Sequence, residues 1–141
     1  MKTENQNIND RNVVWFKEVS KKDVELVGGK NGSLGEMFSQ LGEKGVPIPN
    51  GFITTSTAFW RYLKFNGIDK KLGDIFNGLD VNNLKQLKKA SITARNLVLK
   101  GEFPPDFKNE ILAAYKELSA YYKTRNLNVA VRSSATAEDL A

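Results

Sequence analysis

Short apolar runs alternate with segments of helical apolar spacing along this chain. Three runs rich in β-branched and aromatic residues predict short strands, at 13–16, 52–55 and 127–131. Between these runs, apolar residues recur mostly at intervals of three and four, which is typical of amphipathic helices. The pattern therefore predicts an α/β or α+β fold with a small sheet and several helices.

The first predicted helix follows a glycine-rich stretch. Ser33 and Glu36 have the spacing of a capping box, so the helix is expected to begin at this serine. Its apolar face is formed by four residues at helical intervals: Leu34, Met37, Phe38 and Leu41. Gly42 and Gly45 predict its end, because glycine commonly terminates helices.

Four further helices are predicted from the same spacing. Ser56 or Thr57 can cap the first of them, which Asn66-Gly67 ends. The other three are expected at about 68–79, 84–98 and 105–122. Residues 80–83 offer N-caps for the second of these, and Pro104-Pro105 opens the third, since proline is tolerated in a first helical turn.

Length and composition predict one globular domain with a real core. The chain has 141 residues, of which 40% are hydrophobic and 26% charged. Residues 1–12 are polar and are expected to form a disordered tail, which leaves 13–141 as the domain. No apolar run is long enough to span a membrane, and the tail lacks the apolar core of a secretory signal, so no membrane partner is expected.

The chain lacks two residue types, and this excludes several kinds of chemical site. The chain has no cysteine, which excludes disulfides and thiolate metal sites and is typical of cytoplasmic proteins. It has no histidine, so histidine acid–base chemistry and histidine-bound zinc are excluded within these residues. The net charge of +5 suits anionic ligands such as nucleotides. The largest basic cluster, 85–89, indicates a solvated helix face rather than a nucleic-acid interface.

The stretch 27–37 is a candidate phosphate site. It holds four glycines within eight residues: Gly28, Gly29, Gly32 and Gly35. Lys30 lies among them, just before the predicted helix. Glycines let a ligand approach the backbone, and a helix start offers N–H groups and a positive dipole end to an anion. The alternative is an ordinary glycine-rich turn with a solvated lysine.

A second candidate follows the third predicted strand. Arg132 would carry a planar, permanently charged fork into a crevice at the strand end, which suits phosphate oxygens. Ser133, Ser134 and Thr136 add hydroxyl donors. The alternative is a salt bridge between this arginine and a carboxylate beside a serine-rich turn.

Neither stretch fits a standard phosphate motif. A Walker A loop needs glycine five residues before the Gly-Lys pair and Ser or Thr after it, whereas Val24 and Asn31 occupy these places. A dinucleotide fingerprint needs glycine two residues after the first, where Lys30 stands. A phosphate site in this chain must therefore belong to another architecture.

Three motifs, in this order, carry a resemblance to a known family: VWFKEVSKKDVELVGGKNGSLGEM, GVPIPNGFITTSTAFWRYL and VAVRSSATAEDL. They resemble the N-terminal region of phosphoenolpyruvate synthases (pyruvate, water dikinases) across nearly all of 13–141. More distantly they are similar to pyruvate phosphate dikinases and rifampicin phosphotransferases. One departure is Gly32, where the family pattern has a small residue such as alanine; it is expected to loosen the loop without removing chemistry.

The resemblance implies the N-terminal part of an ATP-grasp-like domain that binds ATP and Mg²⁺. In such enzymes ATP phosphorylates a histidine on a separate mobile domain, which then delivers the phosphoryl group to pyruvate on a third domain. Lys30 would contact the ATP phosphates, and Arg132 would neutralise the transferring group. Gly29, with Ser133, Ser134 and Thr136, would complete the nucleotide site, and the magnesium ligands would lie outside these residues.

The same resemblance leaves several points open. It implies that this chain is a fragment without full activity that binds ATP weakly at best. Glu138 and Asp139 either orient Arg132 or line the site, or they are solvated turn acids. The alternative functions are antibiotic (rifampicin) phosphotransfer and a nucleotide-binding regulatory module that does no chemistry.

Overall fold

The computed structural model describes residues 7–137, which divide into two compact units. Unit 1 comprises the described parts of Met1–Ala58 and Pro105–Ala141, and unit 2 comprises Phe59–Pro104. The first six residues of the predicted tail, together with Glu138 and Asp139, lie outside the described residues.

Six α-helices and two strands are found in the described range. In chain order they are β1 (Val13–Trp15), α1 (Val24–Val27), α2 (Gly29–Gly42), β2 (Phe52–Thr54), α3 (Ser56–Phe65), α4 (Asp69–Phe76), α5 (Leu84–Leu99) and α6 (Pro105–Tyr121). Single turns of 3-10 helix occur at Ile8–Asp10, Phe16–Glu18 and Lys21–Asp23. The mixture of helices with a small sheet confirms the α+β prediction.

The sheet of unit 1 has two antiparallel strands, with Val14 opposite Ile53. Because successive side chains of a strand point to opposite faces, β1 supplies residues to two core clusters. One cluster joins Val14 and Ile53 to α1 and the 3-10 turns: Val14, Val19, Leu26, Val27 and Ile53. The other joins the opposite face to α3 and α6: Val13, Ala58, Phe107 and Ala114. The sheet is thus covered on both faces.

The predicted third strand, 127–131, is wrong. These residues have no strand assignment, and Val131 is 93% exposed. A strand needs a neighbour to pair with its N–H and C=O groups, and the two-stranded sheet is completed by β1 and β2. High β-propensity therefore did not produce a strand here, because propensity reflects packing on a half-buried surface.

The predicted start of α2 is also wrong. The helix begins at Gly29, so Ser33 lies in its second turn and cannot cap it. Gly32 is helical and buried, with its backbone against the Ser20 carbonyl, and therefore does not loosen a loop as expected. Gly45, with φ of +81°, follows the helix end as predicted.

Residues 7–12 are folded although the sequence predicted a disordered tail there. Ile8–Asp10 form a 3-10 turn, and Asn12 is buried, with its Nδ2 donating to Glu110 Oε1 at 2.8 Å. This bond fixes the chain before β1 to helix α6.

Unit 2 is a small helical unit built around the second half of α3. Tyr62, Leu63 and Ile68 form its buried cluster. The Tyr62 hydroxyl donates to the Val98 carbonyl at 2.6 Å, which ties α3 to α5. Asn83 caps α5 as predicted, since its Oδ1 accepts from the Gln86 N–H at 3.2 Å.

No helix within residues 7–137 combines the length and hydrophobicity needed to cross a membrane.

An ion pair joins the residue Arg11, which precedes β1, to Glu18, which follows it. Arg11 Nη1 lies 2.7 Å from Glu18 Oε1, and the Trp15 N–H donates to Glu18 Oε2 at 2.7 Å. Burial alone would raise the pKa of Glu18, but the bonds from Arg11 and Trp15 outweigh it and hold the pKa below its ordinary value of 4.5.

This lowered pKa gives a pH-dependent prediction. The pair stabilises the folded state above the unfolded pKa near 4.5, and its contribution is lost as pH falls through the lower folded pKa. Glu18→Gln should therefore reduce the free energy of unfolding by about 1 kcal/mol at pH 7 and by much less at about pH 3. Urea denaturation at both pH values measures this. Glu43→Gln at the exposed end of α2 is the control; an equal loss at both pH values for Glu18→Gln would contradict the prediction.

Candidate functional site

The site is organised by the break between α1 and α2. Gly28 adopts φ of +80° and ψ of 160°, which ends one helix and lets the next begin at Gly29. Glycine adopts this backbone conformation at no steric cost. Lys30 consequently lies in the first turn of α2, where the leading N–H groups have no acceptor within the helix and the dipole end is positive.

A segment distant in sequence is held against this helix start. The Ser134 hydroxyl donates to the Val27 carbonyl at 3.0 Å, and Asn31 Nδ2 donates to the same carbonyl at 2.9 Å. A Cβ atom on Gly28 would collide with Ser134 Oγ and lie 2.8 Å from the Ala135 carbonyl oxygen. The close approach of residues 132–136, here called the Arg132 segment, therefore depends on the absence of a side chain at position 28.

This approach places Arg132 and Lys30 around one open cavity of about 390 Å³. Six residues line it: Gly29, Lys30, Asn31, Ser33, Leu34 and Arg132. We call it the Lys30–Arg132 cavity. The two cations lie about a hundred positions apart in the sequence, and both are exposed. The fold has thus brought together the two charged residues that the sequence analysis selected separately.

The lining suits phosphate oxygens. A guanidinium offers paired N–H donors, an ammonium offers a compact positive charge, and the helix start adds its dipole. Ser33 adds a hydroxyl, while Leu34 is the only apolar side chain among the six. A purine base would need apolar or aromatic surface, so these residues fit the phosphate end of a nucleotide better than its base.

The predicted site residues are not all at the cavity. Gly29, Lys30 and Arg132 line it, whereas Ser133 and Thr136 are exposed and do not. The Ser134 hydroxyl donates a hydrogen bond to the Val27 carbonyl. The roles of Ser133, Ser134 and Thr136 in nucleotide binding remain predictions.

Sequence reasoning missed three lining residues, Asn31, Ser33 and Leu34. Residues three and four positions apart on a helix share a face. Positions 33 and 34 therefore follow from Lys30 once the helix is known to begin at Gly29. The capping-box interpretation of Ser33 concealed this relation.

Magnesium has no set of protein ligands at this cavity. Its six lining residues include no carboxylate. Within residues 7–137, no group of three or more acidic side chains is arranged to hold a metal. Mg²⁺ prefers carboxylate and phosphate oxygens in octahedral geometry. The described residues therefore do not fit a protein-bound magnesium.

Comparison with known families agrees with a nucleotide site. Residues 24–141 match the family described as pyruvate phosphate dikinase, AMP/ATP-binding domain. The chain belongs to this family. The matched residues include the whole helix break and the Arg132 segment, so both sides of the Lys30–Arg132 cavity lie within the match.

Curated relatives of this chain are phosphoenolpyruvate synthases. That of Aquifex aeolicus is 44% identical over 128 residues, and that of Synechocystis is 46% identical over 132 residues; each match covers 91% of this chain. The synthase of Escherichia coli is 41% identical over 128 residues, again 91% of the chain. The sequence resemblance to this family is confirmed. The matched region is about 15% or 16% of the length of these relatives.

Proposed function

We propose that this chain is the phosphate-binding part of the nucleotide site of a dikinase. The observation that carries the proposal is the Lys30–Arg132 cavity at the start of α2. Lys30 would hold the phosphates of ATP, and Arg132 would neutralise the charge of the group in transfer. Phosphoryl transfer depends mainly on positioning and charge stabilisation, which these two side chains can supply.

The reaction we propose for the whole protein is that of the synthase family. ATP phosphorylates a histidine on another domain. The phosphohistidine then converts pyruvate to phosphoenolpyruvate, so that ATP, pyruvate and water yield AMP, phosphoenolpyruvate and phosphate. The lack of histidine in this chain agrees with an acceptor outside it. We further propose that the complete domain is ATP-grasp-like, with its magnesium ligands and base pocket outside the residues described, and that the protein is cytoplasmic.

A chimera tests the nucleotide half of this proposal. This chain replaces the matching 128-residue segment of the Escherichia coli synthase, and AMP release from ATP is measured with and without pyruvate. We expect pyruvate-dependent AMP release, with the unmodified synthase as control. The midpoint of thermal unfolding should rise on adding ATP, because a ligand that binds the folded state stabilises it. A chimera that is inactive and also shows no such rise would contradict the proposal.

A further inference from the structure

The hydroxyl of Ser134 has a partner inside the protein, and this changes what it can do for a nucleotide. From its sequence motif this serine is predicted to contact the nucleotide, but in the structure its Oγ–H donates to the Val27 carbonyl at 3.0 Å. Ser134 is half-buried, whereas its neighbours Ser133 and Ala135 are exposed. It is the residue of the Arg132 segment that is fixed to the helix break.

This contact matters because, within residues 7–137, the Arg132 segment makes no other hydrogen bond. Residues 131–135 belong to no helix or strand, and Val131 is 93% exposed. Arg132 itself is exposed and makes no ion pair with a residue in the described range 7–137. An arginine has many rotamers, and each ordered side chain has an entropic cost on binding. A firmly held backbone limits the positions that the guanidinium can reach through these rotamers.

Two further residues complete this attachment. Asn31 Nδ2 donates to the same Val27 carbonyl at 2.9 Å, so one oxygen accepts from α2 and from the Arg132 segment. Gly28 allows the contact, since a Cβ atom there would occupy the place of Ser134 Oγ. The bond thus joins Arg132, two residues away, to the end of α1, next to the start of the helix that carries Lys30.

We propose that Ser134 is a positioning residue that acts through Arg132 and does not itself contact phosphate. The inference rests on the proposed function, because it concerns how the same cavity is assembled. Fixing the backbone beside Arg132 keeps the guanidinium at the cavity before the nucleotide arrives, which reduces the ordering required on binding.

A double-mutant cycle on the 141-residue chain tests this role, with tripolyphosphate as the probe. Affinity is measured by NMR titration at low salt for Ser134→Ala, for Arg132→Ala and for both together. Ser134→Ala should weaken binding about fivefold, as expected for losing one net hydrogen bond. In the Arg132→Ala background, Ser134→Ala should change affinity less than about twofold. Ser39→Ala, at an exposed serine of α2 that does not line the cavity, is the matched control and should bind as the unmodified chain does.

An equal loss from Ser134→Ala in both backgrounds would overturn the proposal, because it would indicate a direct phosphate contact. The amide ¹H–¹⁵N nuclear Overhauser effects of residues 131–136 give an independent readout without ligand. They should fall in Ser134→Ala and remain unchanged in Ser39→Ala. If the unmodified chain binds no tripolyphosphate, the proposed function fails, and these amide values alone decide the positioning role; unchanged values in Ser134→Ala would overturn it.

Discussion

Replacing Arg132 with alanine is expected to slow phosphoenzyme formation from ATP by about a thousandfold in the Escherichia coli chimera. A guanidinium that stabilises a transferring phosphoryl group contributes about this much to the rate. Lys30→Ala is expected to lower the rate by at least about a hundredfold, because it removes the second cation of the cavity. Single-turnover incorporation of labelled phosphate into the protein measures both rates.

Matched controls separate these effects from a general loss of positive charge. Arg125 is exposed and does not line the cavity, and Lys44 lies just beyond the end of α2. Alanine at either position should leave phosphoenzyme formation within about twofold, since exposed charges distant from the site are largely screened by salt. Near-normal rates in both Lys30→Ala and Arg132→Ala would refute the assignment of this cavity to phosphoryl transfer.

The second large effect is expected at Gly35, which is buried in the middle of α2. An added Cβ atom would collide with the Val19 carbonyl oxygen and lie 2.8 Å from the Phe16 carbonyl oxygen. Backbone atoms cannot move aside as the end of a flexible side chain can. Gly35→Ala should therefore lower the free energy of unfolding by about 2 kcal/mol, even though alanine favours helix by about 1 kcal/mol.

Gly42 is the matched control in the same helix. A Cβ atom there would meet no heavy atom of another group within 4 Å, so Gly42→Ala should raise the free energy of unfolding by about 0.5 kcal/mol. Urea denaturation of the chain compares the two variants. If Gly35→Ala were as stable as Gly42→Ala, α2 would not depend on close backbone packing against residues 16–20.

Elements with a strong local pattern could be predicted from the sequence. The run Val13–Phe16 gave β1, and Asn83 capped α5 as expected. Both the strand and the cap depend on residues close together in the sequence. Apolar spacing and capping side chains indicate such local structure directly. The α+β class could be predicted for the same reason.

The two corrected elements depended on contacts that a local pattern does not contain. The run 127–131 has strand propensity, but it pairs with neither β1 nor β2. Ser33 and Glu36 match a capping box, yet the helix extends back to Gly29. Glycine is a weak helix former. Buried Gly32 and Gly35 are helical because their backbones pack against the Ser20 and Val19 carbonyls.

For the site, residue chemistry pointed to Lys30 and Arg132, and the structure brings both to one cavity. What the sequence could not reveal was the means of their approach. The bond from Ser134 to the Val27 carbonyl spans 107 positions. The steric need for Gly28 also appears only when the Arg132 segment is in place.

The central claim is that the start of α2 and the Arg132 segment form one phosphate site. An NMR titration of the ¹⁵N-labelled chain with tripolyphosphate tests it most directly, with adenosine as the matched compound lacking phosphate. We predict that the amides of Gly29, Lys30 and Arg132 shift together with a single dissociation constant, and that adenosine shifts none of them. Shifts confined to the basic helix face at 85–89, or different dissociation constants for the helix start and the Arg132 segment, would contradict the claim.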